Sequence, residues 1–139
     1  MKEAYVSFKV ARLLKEKEFD WEVFHFYDEE GHLKYREGDC YSLYNWNYPT
    51  KDEYGSHYCS APTQQMACRW LREEHKIDIS VTPDDGSWWI KVTELESWSA
   101  VFNGKVLNSD DIKYAYEGDT STKEGCYEAG LWYVLKNLI

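Results

Sequence analysis

The chain is short of positive charge: 16 Lys and Arg stand against 25 Asp and Glu, for a formal net charge of -9. Phosphate backbones are gripped by clustered cations, so this balance argues against direct nucleic-acid binding, leaving an acidic mimic of DNA as a minor alternative. Paired metal ligands are missing too. Cys40, Cys59, Cys68 and Cys126 are separated by 19, 9 and 58 positions, with no Cys-x-x-Cys, and His25, His32, His57 and His75 are scattered. A structural zinc site draws on closely spaced ligand pairs, so no metal site is expected. No apolar run approaches the ~20 residues of a membrane span. Met1-Lys2-Glu3 leads into an amphipathic segment and not into a signal peptide. The expectation is a cytoplasmic protein with reduced thiols and no membrane contact. There is no internal repeat, low-complexity tract, linker or catalytic motif, and no cofactor is implied.

Aromatic side chains, by contrast, are abundant. They make up 17 % of the chain, with seven Trp and twelve Tyr in 139 residues. Tyr and Trp join an apolar body to a polar tip, which suits interfaces and ligand pockets. The plainer reading is a Tyr-rich core and a half-wet sheet surface. Residues 36–60 concentrate the signal: 25 positions without helical or strand period, carrying Tyr41, Tyr44, Trp46, Tyr48, Tyr54 and Tyr58. Structureless segments of this length are uncommon inside domains and are either functional loops or disordered linkers. Disordered linkers are poor in aromatics. The segment is therefore expected to be ordered and to line a recognition surface.

Val6, Val10, Leu13 and Leu14 fall on one stripe and predict a helix over about 7–17. Residues 21–27 and 33–35, around Asp28-Glu29-Glu30-Gly31, read as a hairpin. Ser60-Ala61-Pro62-Thr63 reads as a helix start, with Ser60 as the capping hydroxyl and Pro62 in the first turn, for a helix ending near His75. Ile77, Ile79 and Val81 alternate with Asp78, Ser80 and Thr82 as a strand. Pro83-Asp84-Asp85-Gly86 is a turn, with proline presetting φ, and 88–95 is the partner strand. Asn103-Gly104 suggests a further tight hairpin, and 112–116 a short strand. Ser121-x-x-Glu124 has capping-box spacing ahead of a helix over about 122–138. That helix is apolar on two faces, Tyr127, Leu131, Val134, Leu135 and Leu138 on one, Cys126, Ala129, Gly130 and Tyr133 on the other. It is expected to be buried within the chain or against a second copy in a homodimer. The order implies a single α+β domain, an antiparallel sheet with about three helices packed on it.

Three stretches carry a resemblance: 5–17 (YVSFKVARLLKEK), 58–73 (YCSAPTQQMACRWLRE), and 127–131 with 135–139 (YEAGL and LKNLI). Together they resemble a set of uncharacterised small proteins of phages and mobile elements of gut Bacteroidetes. The resemblance covers nearly the whole chain, and Ser60-Ala61-Pro62-Thr63-Gln64-Gln65-Met66 is its most specific part. Residues 94–118 depart from the pattern, being longer and more strand-like. No activity or catalytic residue transfers. The resemblance implies a small protein made inside a bacterial host cell, of a kind that acts by blocking a host protein or by soaking up a nucleotide signal of antiviral defence.

Gln65, Arg69, Arg72 and Lys76 fall within about 60° of one another on an ideal helix. Guanidinium forks grip phosphate bidentately, and the helix start beside them offers amide donors. With Trp46, Tyr48, Tyr58 and Trp89 as stacking platforms, these residues would hold a nucleotide-like ligand; the plainer reading is a solvated helix face with Glu73 in reach. Trp88 and Trp89 point to opposite sides of a strand, one of them core. His57-x-Cys59 suggests a thiol nucleophile only weakly, because side chains two apart on an extended segment diverge. The reading is a non-enzymatic binding protein that sequesters a nucleotide-like signalling ligand, the alternative being a protein–protein inhibitor or assembly factor docking through an aromatic surface.

Overall fold

The computed structural model describes residues 4–35, 43–47, 58–95, 101–102 and 105–139, with the side chains of 101–106 excepted. Four helices and antiparallel strands make the chain α+β, as expected. The chain divides into two units, Met1–Thr63 and Gln64–Ile139, and each is taken by itself.

In the first unit, helix α1 (Phe8–Glu16) starts where Ser7 Oγ accepts from the Val10 amide at 3.2 Å. Its stripe Val10, Ala11 and Leu14 is buried. The helix closes in a Schellman arrangement: Phe19 N–H donates to Leu14 O at 3.0 Å, Glu18 N–H to Lys15 O at 3.1 Å, and Glu18 takes φ 65. A left-handed residue other than glycine costs ~1–2 kcal/mol. The burial of both Leu14 and Phe19 at the same corner offsets it.

Strands β1 (His25–Tyr27) and β2 (Leu33–Tyr35) form the expected hairpin, with His25 opposite Tyr35 and Tyr27 opposite Leu33. Asp28 Oδ1 accepts from the Glu30 and His32 amides and fastens the loop. Strand β3 (Cys59–Ser60) joins the other side of β1, for the order β2-β1-β3. Ser60 therefore does not cap a helix. It is extended, its hydroxyl accepts from the Trp46 amide at 3.0 Å, and its own amide donates to Asn47 Oδ1 at 2.9 Å.

The second unit opens on helix α2 (Gln64–His75), which buries Ala67, Cys68, Trp70 and Leu71. Lys76 takes φ 59 and leaves the helix, so it does not continue the Gln65, Arg69, Arg72 stripe. Strands β4 (Ile77–Asp84) and β5 (Ser87–Glu94) pair from Ile77↔Glu94 to Asp84↔Ser87. Ile77, Ile79, Val81, Ile90 and Val92 are buried, as the alternation predicts. Asp85 at φ 44 and Gly86 at φ 85 make the two-residue turn whose twist matches the flanking strands. Pro83, expected to preset the turn, instead sits in β4 opposite Trp88.

Strands β6 (Val101–Phe102) and β7 (Lys105–Val106) pair as a short hairpin; Asn103 and Gly104 lie outside the described residues. The strand expected over 112–116 is a helix, α3 (Ser109–Tyr116). Asn108 caps it, accepting from the Asp110 amide at 2.8 Å, and Asp110 and Asp111 sit in its first turn, where the helix dipole favours acid. Helix α4 (Lys123–Asn137) is capped by Thr122, whose hydroxyl accepts from the Gly125 amide at 3.0 Å. The cap is thus one residue later than the Ser121 frame, and Ser121 turns instead to Asp119 Oδ1. Both faces of α4 bury side chains, among them Cys126, Ala129, Leu131, Val134 and Leu135, and the helix packs on β4, β5, α2 and α3. A Cβ at Gly130 would stand 3.0 Å from Ile79 Cγ2, so the glycine sets how closely α4 approaches the hairpin.

Candidate aromatic recognition surface

In the first unit, rings pack on rings. Trp46 stacks on Phe26 with centroids 4.1 Å apart and planes at 30°, and meets Tyr44 at 4.9 Å and Tyr58 at 6.2 Å edge-on. Its indole Nε1–H donates to Val23 O at 3.2 Å, and Val23 and Tyr44 exchange two backbone bonds at 3.0 and 3.1 Å. Asn47 Nδ2 donates to Phe19 O at 3.0 Å. The segment 43–47 is thereby pinned, and Trp46 is 7 % exposed, a core residue whose face is already covered.

A second run of rings lies along β1 and β2. Tyr5, His25 and Tyr35 follow one another as tilted ring contacts at 4.4 and 5.8 Å, and Phe8 meets Tyr27 at 5.5 Å with the Arg12 guanidinium 5.6 Å over Phe8. The Tyr27 hydroxyl donates to Val6 O. Partial burial among these rings lowers the His25 pKa below its ordinary 6.5 and favours the neutral ring. At the hairpin tip, the His32 amide, the Lys34 ammonium at 3.0 Å and the Glu30 amide hold the Asp28 carboxyl down at about 2. Phe24, Leu33, Tyr35, Leu43 and Tyr44 are 39–55 % exposed; they are five of the seven large hydrophobics standing out among the described residues.

Cys59 is buried, which raises its thiol pKa while Lys15 and Arg12 act against the rise. It stays a protonated small hydrophobe. His57 and Tyr48 lie outside the described residues, as do 36–42 and 48–57 generally.

The other expected site residues belong to the second unit. Gln65 is exposed, and Arg69 is exposed but joined to Glu73 Oε1 at 3.0 Å. Arg72 Nη1 reaches Asp78 Oδ1 at 3.5 Å. Trp89 is 41 % exposed on β5. Trp88 is half-buried, with the Lys113 ammonium donating to its carbonyl and the Lys123 ammonium 6.0 Å from its ring. The structure thus brings Trp46 and Tyr58 together as packing and gives each arginine a carboxylate.

Gln64, not Gln65, is the buried glutamine: its Nε2 donates to Glu124 O at 2.9 Å and to Glu128 Oε1 at 3.2 Å. Nearby Cys68 has its thiol pKa pushed up to about 12, first by burial, with Arg72 opposing and Asp78 and Glu128 adding to the rise. Sequence reading missed this interior polar pair and the Tyr5, His25, Tyr35 run. The run's only sequence signal was the density of rings in the hairpin strands.

Among the described residues, no group of three or more His, Cys, Asp or Glu is arranged to hold a metal ion, and no helix is long and apolar enough to cross a membrane. Comparison with family models, with curated proteins and with solved structures finds no match.

Proposed function

We propose that this chain is a non-catalytic binding protein of phage or mobile-element origin that docks on another protein, as an inhibitor or assembly factor, through the aromatic surface of its first unit. The observation that carries this reading is that five of the seven exposed large hydrophobics among the described residues, Phe24, Leu33, Tyr35, Leu43 and Tyr44, belong to the first unit. Exposed apolar side chains gathered in one region mark interaction sites more often than chance scatter does. Tyrosines and phenylalanines supply contact area at low cost in side-chain entropy. Trp46 serves as a rigid support beneath Tyr44, because its indole and amide are both hydrogen-bonded within the unit.

Sequestration of a nucleotide-like ligand is the second reading. It is supported by Trp89 at 41 % exposure and by Arg69 and Arg72, whose side chains keep 64 % and 41 % of their surface. Against it weigh the carboxylates already beside both guanidiniums. One experiment separates the two. The tagged protein and its Tyr35→Ser/Tyr44→Ser variant are expressed in a bacterial host, and co-purifying proteins are quantified alongside thermal melting with a nucleotide panel. Docking predicts a co-purifying protein that the variant loses while its circular dichroism is unchanged. Identical recovery by both proteins, with a nucleotide-dependent rise in Tm, would favour the second reading. Saturating nucleotide at 100 times its Kd should add ~2.7 kcal/mol.

A further inference from the structure

Among the described residues, the sheet of the first unit ends at a strand edge where main-chain groups and apolar side chains coincide. Strand β2 is outermost in the order β2-β1-β3, and among the described residues no strand pairs with its far side. Asp28 N–H donates to His32 O at 3.1 Å, and antiparallel pairs alternate from there between bonded and non-bonded. Lys34 is therefore the residue that exchanges bonds with Phe26, while Leu33 and Tyr35 direct their amides and carbonyls away from β1. The His25 carbonyl, opposite Tyr35, correspondingly turns toward β3 and accepts from Ala61 N–H at 2.9 Å. All three residues of β2 are exposed. Lys34, of the residue type that usually guards such an edge, is drawn to Asp28 Oδ2 at 3.0 Å. Exposed Glu29 and Glu30 flank the edge.

We propose that β2 accepts an additional strand from the partner protein: an extended basic segment that bonds to the main chain of Leu33 and Tyr35 and lays alternate apolar side chains beside Leu33 and Tyr35. This rests on the docking reading above and specifies its mode. Charge selects the occupant. A net charge of -9 and the acidic hairpin tip attract a cationic segment. A second copy would bring the same -9 and be repelled by it.

The test titrates isotope-labelled protein with the blocked peptide KVKYKVK and its acidic counterpart EVEYEVE, reading amide exchange at Leu33 and Tyr35. The basic peptide is expected to slow both amides by about tenfold or more, and the acidic one to leave them unchanged. N-methylating every second residue of the basic peptide, in each register, removes donors without touching the protein. One register should bind about tenfold more weakly. Unchanged edge amides with the basic peptide, or equal binding by both methylated forms, would overturn the proposal. So would edge amides already protected in the free protein in a concentration-dependent way, the mark of a second copy. If the peptide shifts Phe24 and Tyr44 while the edge amides stay still, strand addition falls and the docking reading stands.

Discussion

The two units solve the problem of a core by different means. The second has long regular elements: an eight-residue strand pair with Ile77, Ile79, Val81, Ile90 and Val92 turned inward, covered by α4. Its interior is largely aliphatic and its specificity comes from close approach, as at Gly130. The first unit has strands of two or three residues, too short to hold themselves together. It relies on ring stacking and on side chains bonded to main chain: Trp46 to Val23, Ser60 to Trp46, Asn47 to Phe19. A unit built this way leaves rings at its surface as well as inside. The contrast suggests that aromatic excess in a small chain substitutes for regular structure and leaves some of its rings at the surface.

The strongest break of this comparison is Trp46→Ala. Loss of the stacked indole is expected to cost ~3–5 kcal/mol, measured by urea denaturation. A cost below ~1 kcal/mol would mean that the ring is a surface group after all. Gly130→Ala probes the other unit. Alanine is the better helix former by ~1 kcal/mol, yet its methyl would press on Ile79 at 3.0 Å, so a net loss of ~1–2 kcal/mol is expected. A stabilised variant would show that α4 can retreat.

Acid sharpens the contrast. The His25 pKa is lowered by burial, so the unfolded chain takes up the proton first. The stability carried by the neutral ring is complete above 6.5 and is lost as pH falls from there through the folded value. Asp28, at about 2 in the folded chain, adds a second loss as pH falls from 3.8 toward about 2. Amide protection factors, corrected for the intrinsic slowing of exchange in acid, should fall around Tyr5, His25 and Tyr35 between about pH 7.5 and about pH 5, a window that spans the ordinary histidine value; unchanged protection there would remove the histidine's role. The smallest effect is expected at Lys76→Gly. Relieving a left-handed lysine at φ 59 should raise stability by ~0.5–1 kcal/mol, after glycine's own entropy is counted, read as an increase in Tm.

Much of the second unit was legible because periodicity and burial coincide there. The alternation in β4 and the two apolar stripes of α4 needed only the rule that apolar faces turn inward. Helix α3 was misread because Ile112, Tyr114 and Tyr116 have the residue types and spacing of a strand. The stronger local signal was Asn108 followed by Asp110 and Asp111, a cap and an acidic first turn. Thr122 and Ser121 are chemically alike, and only the path of the chain shows which hydroxyl meets an amide. Of the nucleotide-site set, Trp46 and Tyr58 are packing partners and the arginines sit beside acids. Pattern in one dimension carries no information about which partner a side chain will find.

Composition and spacing alone determined that this would be an α+β protein with an acidic balance, an amphipathic first helix, a hairpin of alternating strands and a buried final helix. These depend on neighbours three or four positions away, and the sequence states those directly. Whether a given tryptophan becomes core or surface, whether a serine caps a helix or clamps a loop, and which described strand ends its sheet were decided only in three dimensions. Each depends on groups many residues distant, and the free energy of such contacts belongs to the folded arrangement and to no single stretch of chain.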